Sequence, residues 1–338
     1  MINKLIKAGL GLALSAVMLG TAAVPAQAQQ KPKDKVSLML NWYLYSEHAP
    51  FFLGKKLGYY ADEGIDLDIQ EGRGSAVTAQ AVAAQSVQFG YIDVTTMIKA
   101  AARGAPLIST GVLFQISPMS VMAFEDKNIR TPKEIIGKTV AVTPGDALSQ
   151  VWPIFLKVNH IDPTQIKTVS GDAQTKLNAV MTGRADMLLG YVMDQAIKLQ
   201  DATGRKVYPI RFADYGVNQI SSGIVVNKEW LAKNQDLTRR FMRASTRAVE
   251  AAVKDPQAAV DAMLEAKPKA GVAATLLIGL QRSIALYHTK ETKGQPPFRV
   301  TMGNVDKSLN LLVEYGAIDK DHRGKPGDYV TLDYLPKN

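Results

Sequence analysis

The chain of 338 residues carries 40 Lys and Arg against 31 Asp and Glu, a formal net charge of +9, and it contains no cysteine. The lack of thiols excludes disulfides, thiolate metal ligands and a lipid on a mature N-terminal cysteine. The basic residues are scattered without an aromatic-interleaved Lys/Arg block, which argues against a nucleic-acid groove and for a solvated surface with a mild preference for anions.

Lys4 and Lys7 precede an apolar run from Ala8 to Val24 that ends in Ala26-Gln27-Ala28. A basic start, an apolar stretch and small residues at a cut site predict an export signal over residues 1–28, cleaved near Ala28. The run is short for a bilayer span, and no later apolar run reaches the length of one. A free periplasmic chain of roughly 310 residues follows, long enough for two lobes.

From Val36 onward strand-length apolar runs alternate with helix-like segments, the pattern of a parallel sheet with crossover helices. Strands are expected at Val36–Leu40, Ile65–Glu71 and Gln88–Tyr91, with helices at Ala49–Gly58 and Ser75–Gln85 between them. The same order recurs as Thr139–Val142, Ala147–Asn159, Gln165–Val169, Ala173–Thr182 and Asp186–Tyr191. The copies also agree in letters, since Ala81-Val82 through Phe89-Gly90-Tyr91-Ile92-Asp93 parallels Ala179-Val180 through Leu189-Gly190-Tyr191-Val192-Met193-Asp194. A duplicated α/β architecture is predicted, with lobe I at 35–120 plus 226–338 and lobe II at 121–225.

Thr131-Pro132-Lys133-Glu134 reads as a capping box that opens a short helix. Ser120–Phe124 and Ser222–Val226 are expected to act as hinge strands, because a clamp needs crossings that absorb rotation. From Lys228 the pattern is helical, at Leu237–Lys254, Pro256–Glu265, Ala273–Tyr287 and Gly303–Tyr315, packing back on the first lobe. The tail from Ile318 is expected to be a loop of limited structure.

Ligands of open α/β sheets lie beyond the carboxyl ends of the strands. Here those loops hold Asn41, Trp42, Tyr45 and His48, then Arg73-Gly74-Ser75, then Tyr91 and Asp93, and in the second copy Pro144, Asp146, Tyr191 and Asp194; Gln115 completes the expected ligand-binding set. Trp42 and its neighbouring aromatics would suit a planar guest, although capping the core would also employ them. Gly72-Arg73-Gly74-Ser75 at a helix start could hold an anion with free N–H groups and the Arg73 fork, and equally could be a plain glycine turn with Ser75 as N-cap. Asp146 and Asp194 could accept hydrogen bonds from an amine, or could be solvated caps. Neither a Gly-x-Ser-x-Gly elbow nor a His-Glu-x-x-His metal motif is present.

Asn41-Trp42 with His48, then Gly58-Tyr59-Tyr60 and Glu63-Gly64-Ile65-Asp66-Leu67, resembles the periplasmic binding proteins related to the thiamine-pyrimidine precursor synthases, a wider family that includes sulfonate, nitrate and taurine binders. The resemblance covers roughly residues 36–260. It implies a two-lobed, type II Venus-flytrap fold and capture of a small molecule, in the nearest branch a hydroxymethyl- or formylamino-pyrimidine. Trp42 and Tyr91 would then supply stacking or edge contacts, and Asn41, His48, Asp146 and Tyr191 polar ones. The expected partners are the ligand and an ABC permease with its ATPase in the inner membrane, with no nucleic acid, metal or cofactor, and a monomeric chain. An aromatic carboxylate, a sulfonate or taurine-type anion is the alternative ligand, suggested by Arg73, and a ligand-sensing domain for a receptor is the alternative role. Eukaryotic synthases of the family consume a histidine and use an iron-associated cysteine cluster, so the absence of cysteine sets the expectation that this chain is not an enzyme.

Overall fold

The computed structural model describes residues 33–337. The expected export signal at 1–28 lies outside the described residues. Among the described residues, ten strands form two five-stranded sheets. The first holds β1 (Asp34–Met39), β2 (Ile65–Gln70), β3 (Phe89–Asp93), β4 (Leu107–Val112) and β10 (Ser222–Asn227); the second holds β5 (Met119–Phe124), β6 (Thr139–Val142), β7 (Lys167–Ser170), β8 (Met187–Tyr191) and β9 (Val207–Arg211). Their orders are β2-β1-β3-β10-β4 and β7-β6-β8-β5-β9.

The two orders are the same topology. In each sheet the first strand of the repeat lies parallel to the second and third, and the fourth position is filled by an antiparallel strand, β10 or β5, from outside the repeat. Strands β3, β5, β8 and β10 are buried at every residue, which is why they read as continuous apolar runs and not as alternation.

Two strands and two of the longer helices escape the sequence pattern. β9 carries Pro209, which demotes a strand when read alone, and it lies at a sheet edge, where a missing N–H is tolerated. β4, the opposite edge strand in the first sheet, is diluted by Ser109, Thr110 and Gly111. The helix Val94–Ala102 follows β3 directly, and Gln195–Thr203 follows β8 after the short loop at 192–194.

The expected hinge strands need correction. Ser120–Phe124 and Ser222–Val226 lie inside β5 and β10, each paired on both sides. Rotation there would break two ladders at once. The chain passes between sheets at 113–118 and 212–221, and these crossings run side by side: Leu113 and Phe114 donate to the Ser222 carbonyl, and Ser221 donates to that of Phe114.

Pro132–Ile135 is a single 3₁₀ turn whose Glu134 carboxylate accepts the N–H groups of Arg130 and Thr131 at 2.7 and 2.9 Å. The tail is more ordered than expected. Thr331 donates to the Ser109 carbonyl at 2.9 Å, Val330 bridges to the same residue, and Tyr329, Val330 and Leu335 are buried. Its apolar residues are spaced too irregularly to mark an element in advance.

The helices Gln235–Lys254 and Pro256–Ala266 pack on Ala49–Lys56, beside the first sheet. Gly54 permits this approach, because a Cβ there would stand 2.4 Å from the Ala248 Cβ. Gly54→Ala should therefore lower stability. Overpacking costs about 1–3 kcal/mol, while alanine regains about 1 kcal/mol of helix propensity. Urea denaturation should show a net loss of about 1 kcal/mol.

Candidate functional site

One cleft gathers strand-end loops from both sheets. Asn41, Trp42, Tyr45 and Ser75 face it from the first, and Asp146, Ala147, Leu148, Lys176, Tyr191, Asp194 and Gln195 from the second. The free space between them is about 30 Å³, room for one or two waters. A ring-sized guest must move side chains or part the walls.

Backbone bonds build the first wall. Gly72 and Gly74 donate to the carbonyls of Trp42 and Asn41 at 3.2 and 2.9 Å, so the two loops are zipped together. At Gly72 a Cβ would fall 1.9 Å from the Leu40 oxygen, which leaves no room for any side chain. Gly74 has φ of 131° and approaches Gly145 of the opposite wall, whose oxygen also accepts the Ala76 N–H at 3.3 Å.

This arrangement corrects the expected anion site. The N–H groups of Gly74 and Ala76 are already engaged, Gly74 and not Ser75 is the N-cap, and the Ser75 hydroxyl accepts the Asp93 N–H at 3.1 Å. Arg73 is exposed and does not line the cleft.

Trp42 is buried and meets Tyr43 edge-on at 5.5 Å between centroids. Behind it lies a buried polar floor. His48 Nε2 and Asn41 Oδ1 are 2.7 Å apart, and the Tyr45 hydroxyl donates to Glu47. Burial, with some help from Lys198, lowers His48 from 6.5 to about 3, so the ring is neutral. Burial raises Glu47 from 4.5 to about 8, assisted by Asp194 and opposed by hydrogen bonding to Ser222, Tyr91 and Asn41.

The second wall is set by helix starts. Asp146 caps the helix Ala147–Val158 through Oδ1, which accepts the Ser149 N–H at 2.6 Å. Its other oxygen faces Lys176, on the helix Ala173–Met181, at 3.3 Å. Lys176 is 1 % exposed, and its ammonium lies 5.4 Å from the centre of the Trp42 ring. Asp194 pairs with Lys198 at 2.7 Å and also accepts from the Gln195 amide.

Asn41, Trp42, Tyr45, Ser75, Asp146, Tyr191 and Asp194 thus converge on one cleft, and the other expected residues do not line it. His48 lies behind Asn41. Tyr91 is fully buried in β3, packed edge-on against Phe51 and His48. Asp93 caps the helix Val94–Ala102, accepting from Thr95, Thr96 and Ser221. Gln115 is spent on the carbonyls of Tyr287 and Arg299 and on Thr292. Gly74 braces the two loops, and Pro144 is exposed.

Lys176 and Gln195 were missed. Lys176 sits in the first turn of the helix Ala173–Met181 and Gln195 opens the helix Gln195–Thr203, places where a lone Lys or Gln reads as solvated surface. A lysine flanked by Thr175 and Leu177 gives no sequence signal of burial.

Comparison with known proteins follows this geometry. Residues 45–259 match the family model described as NMT1/THI5 like. The chain is 26 % identical over 290 residues, 85 % of its own length and 87 % of the relative, to a 4-amino-5-hydroxymethyl-2-methylpyrimidine phosphate synthase of Legionella pneumophila. It is 26 % identical to the riboflavin-binding protein RibY of Chloroflexus aurantiacus, covering 73 % and 71 % of the two chains. It is 21 % identical to a formylaminopyrimidine-binding protein of Halalkalibacterium halodurans, covering 75 % and 77 %. Among solved structures, the alkanesulfonate-binding protein SsuA of Xanthomonas axonopodis superposes with a TM-score of 0.69 at 12 % identity, over 89 % of this chain and 99 % of that one. The two-lobed periplasmic-binding-protein fold expected from the sequence is thereby borne out.

The expectation that the chain is not an enzyme is overturned. Relatives matched along most of their length are named as synthases. The missing cysteines remove thiolate ligands and nothing more, so they do not exclude synthesis.

Proposed function

Because this chain belongs to the NMT1/THI5-like family, we propose that its cleft captures a small planar heterocycle of the pyrimidine class in the periplasm and passes it to an ABC permease and ATPase of the inner membrane. The observation that carries this reading is the meeting of Trp42, Tyr45 and Tyr191 with the polar groups of Asn41, Asp146 and Asp194 in one cleft built from both sheets. Aromatic faces bind a flat ring without demanding charge, and the polar groups fix its orientation. The relatives named for riboflavin and formylaminopyrimidine support a pyrimidine-bearing ring. The confined space favours the smaller of the two.

A thermal-shift screen of aminopyrimidines, riboflavin, aromatic carboxylates and alkanesulfonates tests it. At 100 times the dissociation constant a ligand stabilises by about 2.7 kcal/mol, so an aminopyrimidine should raise the melting temperature by several degrees. A shift with sulfonates or carboxylates alone would overturn the reading.

The relatives named as synthases favour a second reading, in which the same cleft makes a pyrimidine phosphate. Mass spectrometry of incubations of the purified protein separates the two. Release of a pyrimidine phosphate above background supports synthesis, and binding without product supports capture.

A further inference from the structure

Lys176 and Asp146 form a buried ion pair in the middle of the cleft, 3.3 Å apart, against the Trp42 ring. Asp146 uses one carboxylate oxygen to cap its helix and the other to face the ammonium. The ammonium has three donors, and Asp146 is its hydrogen-bond partner in the structure. Further donor capacity is therefore enclosed beside the aromatic ring, next to a carboxylate oxygen that can accept again.

We propose that the Lys176–Asp146 pair is the specificity-determining element of the cleft, reading a neutral edge of the guest on which an N–H donor neighbours a ring-nitrogen acceptor, as on an aminopyrimidine. This rests on the function proposed above and deepens it. Asp146 accepts from the exocyclic amine while Lys176 donates to the ring nitrogen.

The charges around the pair favour a neutral guest over an anion. Lys176 is already matched by Asp146, Asp194 also lines the cleft with its charge matched by Lys198, and Arg73 does not line it. An added anion would meet two carboxylates with no spare cation beside them, and a cation would meet the Lys176 ammonium. A ring edge with adjacent donor and acceptor leaves this balance unchanged and satisfies both partners. Because a site built to hydrogen-bond a group rejects an analogue lacking it more strongly than an apolar pocket rejects a shape change, the pair should dominate ligand choice.

Calorimetric titration with 4-amino-5-hydroxymethyl-2-methylpyrimidine and its 4-oxo counterpart tests the proposal on wild type, Lys176→Met, Lys176→Gln and Asp146→Asn, each checked for folding by circular dichroism. Wild type should bind the amino compound at least tenfold more tightly than the oxo compound. Lys176→Met should lose at least tenfold in affinity for the amino compound and most of the preference. Lys176→Gln, which keeps a donor, should recover part of both, and Asp146→Asn, which keeps the helix cap, should lose the preference. An unchanged amino-to-oxo ratio in folded Lys176→Met or Asp146→Asn, or no preference in wild type, overturns the role of the pair while leaving pyrimidine capture standing. Failure of wild type to bind either compound overturns the proposed function and this inference with it.

Discussion

Trp42→Ala should weaken binding of the cleft's heterocycle by about tenfold to a hundredfold. The ring is buried, held edge-on by Tyr43, and faces the space that Lys176 also occupies. Stacking of a heterocyclic base on an aromatic side chain is worth about 1–3 kcal/mol by alanine substitution, and each 1.4 kcal/mol is a factor of ten in affinity. The substitution also strips the Lys176 ammonium of its aromatic neighbour, so the free cleft becomes less ordered. Calorimetry on Trp42→Ala beside Tyr43→Ala separates contact from support, since Tyr43 does not line the cleft. Equal small losses in both would make Trp42 a core residue and remove it from the site.

Stability should fall by about 2 kcal/mol between pH 6.5 and pH 8, and Glu47→Gln should abolish that fall. Glu47 rises from 4.5 to about 8 on folding, so its contribution is fully present below pH 4.5 and is lost as pH climbs through 8. His48 falls from 6.5 to about 3, so its contribution is fully present above pH 6.5 and is lost as pH drops toward 3. Between pH 4.5 and 6.5 the two slopes oppose each other and nearly cancel. Above pH 6.5 Glu47 acts alone over about 1.5 pH units, at about 1.4 kcal/mol per unit. Glutamine keeps the shape of the protonated carboxyl and an oxygen for the Tyr45 hydroxyl. Urea denaturation at pH 5.5, 6.5 and 8 reads the difference. Parallel pH profiles for wild type and Glu47→Gln would show that the buried floor is not what titrates.

The same floor explains why part of the site could be read in advance and part could not. Strand-end loops are legible because the repeat fixes where strands stop, and that placed Asn41, Trp42, Asp146, Tyr191 and Asp194 together. What each side chain does after the loop ends is a matter of packing. Asp93 and Asp194 are the N-cap residues of the helices that follow β3 and β8, yet Asp93 caps its helix with its side chain while Asp194 lines the cleft. Arg73 looked like an anion clamp because glycines flank it, but those glycines serve the close backbone approach to Leu40 and Gly145. Lys176 is the reverse case, a residue type that is almost never buried unless paired, and its partner is 30 positions away in sequence. Edge strands were lost for a related reason: Pro209 is acceptable in β9 because that strand pairs with β5 alone, and Gly111 in β4 makes room for Phe298, whose Cβ would stand 2.8 Å from an added Cβ.

The account depends on a planar guest lying against Trp42 between the two sheets. Of the three tryptophans, Trp152 stacks on Phe155 and Phe212, and Trp230 packs on Phe89. Neither lines the cleft. A Trp152→Phe, Trp230→Phe variant therefore carries Trp42 as its sole indole. Titrating this variant with 4-amino-5-hydroxymethyl-2-methylpyrimidine should change its emission saturably, with the midpoint matching the calorimetric affinity. Calorimetric binding with no change in the Trp42 emission would contradict the account.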